Sequence, residues 1–245
     1  KIAMSHLVQQ NRTNWPLIRK LLSIPRYKKI YLAHMHTILS ENFSNDEYIT
    51  VANTLRSLVT NAVQDDLNKF YTFEMYQNSL TTTVMVDDDF ASAGIVELMS
   101  GRKAFLSNLP DFTATKPVIS DIVPSNATPF INTNISFTAQ VTNANADAVF
   151  LGYRTNLTAA FTKIPMFDDG SHNDGAAGDN IFGTDDLLIN NAYMQYYIYA
   201  ENNTIGAFSP ARAEHEFHAI AAINNINPGE IAINEVMAQN TSTIT

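Results

Sequence analysis

The chain contains no cysteine among its 245 residues. This absence excludes a disulfide framework, a zinc–thiolate site and a cysteine nucleophile. No stretch of the sequence approaches the roughly 18 consecutive apolar residues that a membrane-spanning helix needs. Because 45% of the residues are apolar, a chain of this length can be stabilised by its core alone, and the lack of disulfides leaves the compartment open.

Basic residues are scarce in the second part of the chain. Up to Pro110 there are 11 Lys and Arg against 10 Asp and Glu, whereas from Asp111 onward there are 4 against 14. A change of this size at one point predicts two units of different composition. The acidic second unit argues against binding to nucleic acid or to an anionic membrane.

Residues 1–110 have the apolar spacing of helices. Pro16 and Pro25 suit the first turn of two helices, because proline has no N–H to leave unpaired there. Apolar residues then recur every three or four positions, which is typical of one helix face. We expect five helices in a bundle or a helical lobe, over residues 17–22, 27–43, 46–63, 70–84 and 94–109, with Pro110 ending the last.

The apolar period changes to two after a linker at residues 111–117. Alternating or apolar runs predict about seven strands within residues 117–220, which is the number in an immunoglobulin-like β-sandwich. These runs are residues 118–123, 135–141, 149–153, 161–166, 181–188, 193–200 and 214–220. The expected fold is therefore multi-domain, α then β. Residues 231–236 have a further strand pattern, and a lone strand cannot fold by itself. We expect it either to dock on the sandwich or to open another domain over residues 229–245.

Three parts of the sequence resemble known modules. Residues 16–31, Asp65 with Asp66, and residues 94–106 are similar to the C-terminal helical part of CotH-family proteins, which include spore-coat kinases with an atypical protein-kinase-like fold. Residues 166–183 with 196–200 resemble immunoglobulin-like modules that follow CotH regions in bacterial surface proteins. Residues 231–238 look like the opening strand of a lamin-tail-like domain. The resemblance implies an extracellular or cell-surface bacterial protein.

The resemblance carries over no catalytic residue. In the family, the nucleotide-binding lysine and the metal-binding and catalytic aspartates precede the segment that begins near Pro16. The chain has no Gly-rich loop after a strand and no His-Arg-Asp or Asp-Phe-Gly pattern. It also begins at Lys1 without a methionine or an apolar leader. This start is that of a mature form or of a fragment, and we expect a fragment.

One loop is the principal candidate site. Asp168, Asp169, Asp174 and Asp179 share residues 166–183 with four glycines, which allow the backbone to turn through positive φ. Carboxylate and carbonyl oxygens that converge in such a loop could bind Ca²⁺, although the spacing is not that of an EF-hand. The alternative is a set of Asx turns, in which each aspartate accepts backbone N–H groups.

Other chemistry-bearing residues have simpler interpretations. Residues 87–89 are three adjacent aspartates that could hold Mg²⁺ but are expected to form a solvated loop. His34 and His36 do not share a helix face, and His215 and His218 lie on opposite faces of a strand, so neither pair predicts a metal site. Trp15 is expected to pack at the start of a helix.

The sequence leaves two function classes open. The first is a non-catalytic C-terminal portion of a CotH-like surface or secreted protein that serves presentation, adhesion or binding to a protein or cell-surface partner. The second is the supporting lobe of an atypical kinase whose catalytic residues lie upstream. No cofactor is expected apart from possible calcium in the aspartate loop, and no nucleic acid is expected as a partner.

Overall fold

Helices occupy the first part of the chain in a computed structural model, which describes residues 2–87 and 90–225. Pro16 and Pro25 stand at the first position of the first two helices, as predicted. A π-helical turn over Leu39–Phe43 follows the second helix directly. The helices are α1 (Pro16–Leu22), α2 (Pro25–Ile38), α3 (Glu47–Asp65), α4 (Phe73–Asn78), α5 (Ile95–Ser107) and α6 (Pro110–Thr113).

Two helix predictions need correction. The helix expected over residues 70–84 is reduced to α4, because Thr72 Oγ1 accepts a hydrogen bond from Met75 N at 3.1 Å and fixes a later start. The residues at which this helix was expected to end belong instead to the strand β1 (Val84–Met85), which pairs with β2 (Ala91–Ser92) in an antiparallel hairpin. Pro110 does not end the helical region, since it is the first residue of α6.

The helices bury little apolar surface. Within the described residues before the first long strand, the buried hydrophobic residues are Leu7, Leu32, Ala33, Leu80 and Leu106. None of the described residues of α3 is buried, and Leu58 on its predicted apolar face is 76% exposed. The amphipathic pattern therefore predicted the helix correctly, but its apolar face packs against no core in the described part of the chain.

Antiparallel strands follow the helices. Their bounds are β3 (Val118–Pro124), β4 (Thr133–Ile135), β5 (Phe137–Thr142), β6 (Val149–Arg154), β7 (Thr162–Pro165), β8 (Ile181–Gly183), β9 (Leu187–Ile189), β10 (Tyr193–Glu201), β11 (Gly206–Ser209) and β12 (His218–Ala221). The largest sheet has the order β11-β10-β6-β7, with β12 beside β11 on the same edge of β10. The strands β3, β5 and β8 form a second sheet, and β4 pairs with β9.

A single apolar core lies between these sheets. Alternate residues of β10 point into it and meet side chains from β5, β6 and β8. Phe137 of β5 is fully buried, and its ring centroid lies 4.6 Å from that of Tyr196. The β10 residues in this core are Met194, Tyr196, Ile198 and Ala200.

The predicted order of helices first and antiparallel strands afterwards is confirmed. The strand expected over residues 181–188 is two strands, β8 and β9, which pair with different partners. The strand expected from Glu214 begins only at His218. The seven-stranded immunoglobulin-like arrangement and the domain limits 1–110 and 117–220 stay predictions. The predicted strand at residues 231–236, and with it the unit at residues 229–245, lies outside the described residues.

The segment expected to be a linker contains an ordered contact. Asp111, in α6, lies 2.9 Å from His6 Nε2 through its Oδ2 atom, and the His6 side chain is 5% exposed. The backbone carbonyl of Asp111 contacts His36 Nε2 at 3.0 Å. None of the described helices is long and apolar enough to cross a membrane.

Candidate functional site: the aspartate loop and the helix–sheet interface

Asp174 is the centre of the aspartate loop and is 1% exposed. Its Oδ2 atom accepts hydrogen bonds from Asp169 N at 2.6 Å and Gly170 N at 2.7 Å, and its Oδ1 atom accepts one from His172 N at 2.8 Å. Burial raises the pKa of Asp174, but the backbone N–H groups outweigh it and hold the pKa below its usual range. The side chain therefore anchors the loop as a carboxylate.

The other three aspartates also accept hydrogen bonds from the loop. Asp168 Oδ1 accepts from Gly178 N at 2.8 Å, and its Oδ2 accepts from Asn180 N at 3.0 Å. Asp179 Oδ1 accepts a hydrogen bond from Ile181 N at 2.9 Å. Asp169 Oδ1 accepts one from Ser171 N at 2.9 Å and lies 2.8 Å from His172 Nδ1. Each predicted site residue thus has backbone N–H partners. Asp169 and Asp179 accept from the N–H two residues on, as in the predicted Asx turns, whereas Asp168 and Asp174 accept from other positions of the loop.

Three of the four glycines of the loop have the positive φ that the density of glycines predicted. Gly170, Gly175 and Gly178 have φ of 76°, 91° and 81°. Within residues 2–87 and 90–225, no group of three or more histidine, aspartate or glutamate side chains is arranged to hold a metal ion. The calcium site at Asp168, Asp169, Asp174 and Asp179 stays a prediction.

The two histidines of α2 contact different aromatic residues. His34 stacks on Phe208 with centroids 4.9 Å apart, whereas His36 stacks on Phe112 at 4.9 Å. Trp15 precedes α1 and is 50% exposed, so much of its ring is in solvent. Of the three aspartates at residues 87–89, the last two lie outside the described residues.

The surface that sequence reasoning missed is the interface between α2 and the outer face of the largest sheet. The guanidinium of Arg26 lies 4.4 Å from the centroid of the Phe150 ring, a cation–π contact. Ile30, one turn further along α2, packs with a second cluster that contains Tyr197 and Tyr199, both nearly fully buried. His34, on the next turn, completes the row against Phe208. Three successive turns of α2 therefore cover one aromatic face.

Polar groups of the helices and the sheet fasten this interface. Lys29 Nζ lies 3.0 Å from Glu201 Oε1, and both side chains are 14% exposed. The hydroxyl of Tyr199 donates to Glu201 Oε2 at 2.6 Å, and that of Tyr197 donates to Glu214 Oε1 at 2.6 Å. Burial, together with these carboxylates, raises the pKa of both tyrosines. Removing Lys29 would leave the largely desolvated carboxylate of Glu201 without its cation, which is destabilising.

A cleft of about 760 Å³ opens beside the interface. Its walls are α2, the π-helical turn, residues 212–215 and the side chains of Lys163 and Phe208, and its charged groups are paired across it. Arg212 Nε lies 2.7 Å from Glu41 Oε2, and Lys163 Nζ lies 3.5 Å from Glu214 Oε1. Because these cations and carboxylates neutralise one another, the cleft acts as a further seam between helices and sheet.

One signal in the sequence could have indicated this interface. Residues 193–200 are apolar or aromatic at nearly every position, and a strand that is hydrophobic on both faces is covered on both faces. Tyr197 and Tyr199 point away from the inner core and so require a second layer. The residues that form this layer are more than 150 positions away in the sequence, and no local pattern identifies them.

Acidification is expected to destabilise the interface through His34. Burial, and then the nearby His215, lower the pKa of His34, while Glu214 opposes them. Since the unfolded-state pKa is about 6.5 and the folded value lies below it, the unfolded chain binds the proton first. Stability therefore falls as the pH drops through this window. Melting temperatures at about pH 7 and about pH 5 should differ less in His34→Gln than in the wild type.

Two other histidines supply the controls for this pH dependence. Burial lowers the pKa of His218, so part of the acid sensitivity should persist in His34→Gln. The pKa of His172 is raised by its hydrogen bond to Asp169, which makes its contribution opposite in sign. His172→Gln should therefore enlarge the drop in melting temperature. An unchanged drop in His34→Gln would contradict the role of His34.

Residues 2–88 match the family model described as CotH kinase protein. No curated protein matches the chain. The matched segment contains α1, α2, α3 and α4, so the helix that covers the aromatic face of the sheet lies inside it. The first part of the chain is thus similar to the CotH kinase family, and this family-like part is in direct contact with the β-domain.

Proposed function

We propose that this chain is a non-catalytic C-terminal portion of a CotH-like bacterial surface or secreted protein. Its helical part holds the β-domain in a fixed position, where an immunoglobulin-like module serves presentation, adhesion or binding to a protein partner. The observation that carries this proposal is the interface between α2 and the aromatic face of the sheet. A flexible tether would need no ion pair with as little exposure as that of Lys29 with Glu201.

The chemistry of the sequence supports a structural role. Phosphoryl transfer needs groups that cradle the phosphates and hold Mg²⁺, and the chain has neither a Gly-rich loop after a strand nor the usual catalytic motifs of kinases. The charged groups of the interfacial cleft form ion pairs with one another. An acidic β-domain on a nearly neutral helical part also favours a protein or cell-surface partner over nucleic acid.

The purified chain is expected to show no Mg²⁺-dependent ATP turnover and no autophosphorylation. The physical reason is the lack of a phosphate cradle in the sequence. Release of radiolabelled phosphate and incorporation of label into the chain would measure both reactions, with heat-denatured chain as the background. Turnover above that background that disappears on chelation of Mg²⁺ would overturn the non-catalytic assignment.

The second candidate is the supporting lobe of an atypical CotH-type kinase. It is favoured by one observation, the match of residues 2–88 to a family described as a kinase. In this case the catalytic lysine and aspartates would belong to sequence upstream of Lys1. A longer protein that transfers phosphate, and loses this activity when such a lysine is replaced, would support the second candidate over the first.

A further inference from the structure

A second groove adjoins α2, and Ile30, which also packs toward the sheet, lies at its border. It has a volume of about 470 Å³ and is formed by α1, the start of α2 and the segment before α1. Its walls are almost entirely apolar, which is typical of a surface that binds another molecule. Among the residues that line it are Leu7, Val8, Ile18, Leu21, Leu22 and Tyr27.

The apolar surface continues beyond the groove. No residue of α1 is buried, although four of its seven residues are leucine or isoleucine. Leu17 is 71% exposed and Leu21 is 43% exposed, and as residues i and i+4 they share one face of α1. A seven-residue helix is not stable by propensity alone and depends on packing of its apolar face. Because the exposed apolar face of α1 extends beyond the groove, a molecule that covers both is longer than the groove itself, which favours a polypeptide segment over a small molecule.

Cations without ion-pair partners lie in α1 and in the segment before it. Residues 1–40 contain seven lysines and arginines and no aspartate or glutamate. Arg12, Arg19 and Lys20 are exposed and form no ion pair with any described residue. An apolar centre with a positive rim complements a segment whose apolar face is bordered by carboxylates.

Two buried polar atoms in the groove walls also lack partners. His6 Nδ1 and Gln9 Oε1 have no hydrogen bond within the described part of the chain, and both residues line the groove. His6 Nε2 lies 2.9 Å from Asp111 Oδ2. Both unpartnered atoms are enclosed by protein, so the choice of occupant rests on the apolar lining and on the charges.

We propose that the groove beside α1 binds an acidic amphipathic segment of a partner protein. Its apolar side chains fill the space between α1 and α2, and its carboxylates pair with Arg12, Arg19 and Lys20. The shape is concave, whereas a bilayer surface is flat, so a polypeptide fits it better than an anionic membrane. The inference deepens the proposed function, on which it rests in that the chain acts by binding proteins.

The single tryptophan of the chain is a natural probe of this site. Trp15 adjoins α1 and is 50% exposed, so an occupant should shift its fluorescence to shorter wavelength. Titrations would use two synthetic amphipathic helical peptides with the same leucine face and either glutamate or lysine on the polar face. We expect the glutamate peptide to bind at least about tenfold more tightly, and to weaken as salt is raised from about 50 to about 500 mM.

Variants separate the apolar and the charged contributions. Leu21→Asp should lower the affinity for the glutamate peptide at least about tenfold, because it places a carboxylate in the apolar centre. Arg19→Glu combined with Lys20→Glu should reverse the preference between the two peptides, and both residues are exposed, so the fold is preserved. Leu157→Asp, at a 57% exposed position of the β-domain, is the matched control and should change nothing.

Several results would overturn the proposal. These are the absence of any shift in Trp15 fluorescence, equal binding of the two peptides, and binding of phosphatidylserine vesicles without binding of the glutamate peptide. A dimer that Leu21→Asp abolishes would assign the groove to a second copy of the chain and would also overturn it. None of these results alters the ATP turnover of the chain, so failure here is distinguishable from failure of the proposed function.

Discussion

Asp174→Asn is expected to lower the free energy of unfolding by about 3 kcal/mol and the melting temperature by roughly 6–12 °C. The two carboxylate oxygens of Asp174 accept three backbone N–H groups in a buried position. An asparagine amide has one oxygen, and its NH₂ group would face at least one N–H donor. The buried donors would lose their partner, which costs more than the net gain from an ordinary hydrogen bond. Asparagine is therefore not a neutral replacement here.

Calorimetric scans of the wild type and Asp174→Asn, each with calcium and with chelator, distinguish a calcium site from a loop held by hydrogen bonds to its own backbone. In the wild type we expect calcium to leave the transition unchanged, because the aspartates are already satisfied by backbone N–H groups. If carboxylates repelled one another without an ion, calcium would raise the transition and chelator would reverse it. Asp186→Asn, at an exposed position beside the loop, should behave like the wild type. An equally stable Asp174→Asn would contradict the anchoring role.

Gly152→Ala is expected to destabilise the protein by about 3 kcal/mol and to loosen the helices from the sheet. A Cβ atom on Gly152 would lie 2.3 Å from Cζ of Tyr197, its partner across the β6–β10 ladder. Tyr197 is completely buried and its hydroxyl is fixed by Glu214 at 2.6 Å. Relief of this clash displaces the ring within the cluster that it shares with Ile30 of α2, so the substitution strains the interface on which the proposed function depends.

Thermal unfolding measures the first effect, and a distance between two spin labels measures the second. Because the chain has no cysteine, cysteines introduced at the exposed positions Leu58 and Leu188 would be labelled selectively. We expect a narrow distance distribution in the parent and a broader one in Gly152→Ala. Gly178→Ala is the control, since its Cβ meets no atom within 4 Å and its φ of +81° costs only about 1 kcal/mol. Unchanged stability and distance in Gly152→Ala would contradict the prediction.

Elements with strong local signals were predictable from the sequence. Proline marked the starts of α1 and α2, and the continuous apolar run predicted β10 to within one residue. The glycines of the aspartate loop correctly indicated positive φ. In each case the physical cause lies in neighbouring residues, where sequence patterns are informative.

Features that depend on distant partners were not predictable. The strand β11 is four residues long and has no alternation, and it exists because the last four residues of β10 offer an edge. The segment before β12 turns instead of extending, since Glu214 is held by Tyr197 and Lys163. The contact between His34 and Phe208 joins residues that are far apart in sequence. The aspartates of the candidate site could be identified from the sequence, whereas the interface between α2 and the sheet could be identified only from the fold.

The strand β10 belongs to two cores at once. Its even-numbered residues from Met194 to Ala200 enter the space between the sheets, and Tyr197 and Tyr199 support α2 on the other side. A slip of one position along either neighbouring strand would exchange these two sets, bringing tyrosine hydroxyls into the dry interior and methionine and isoleucine under the helix. Most strands have their alignment fixed by one buried face, whereas both faces of this strand disfavour a slip of one position. The position of α2 on the sheet is thereby fixed by the same register that aligns β10 with its neighbours.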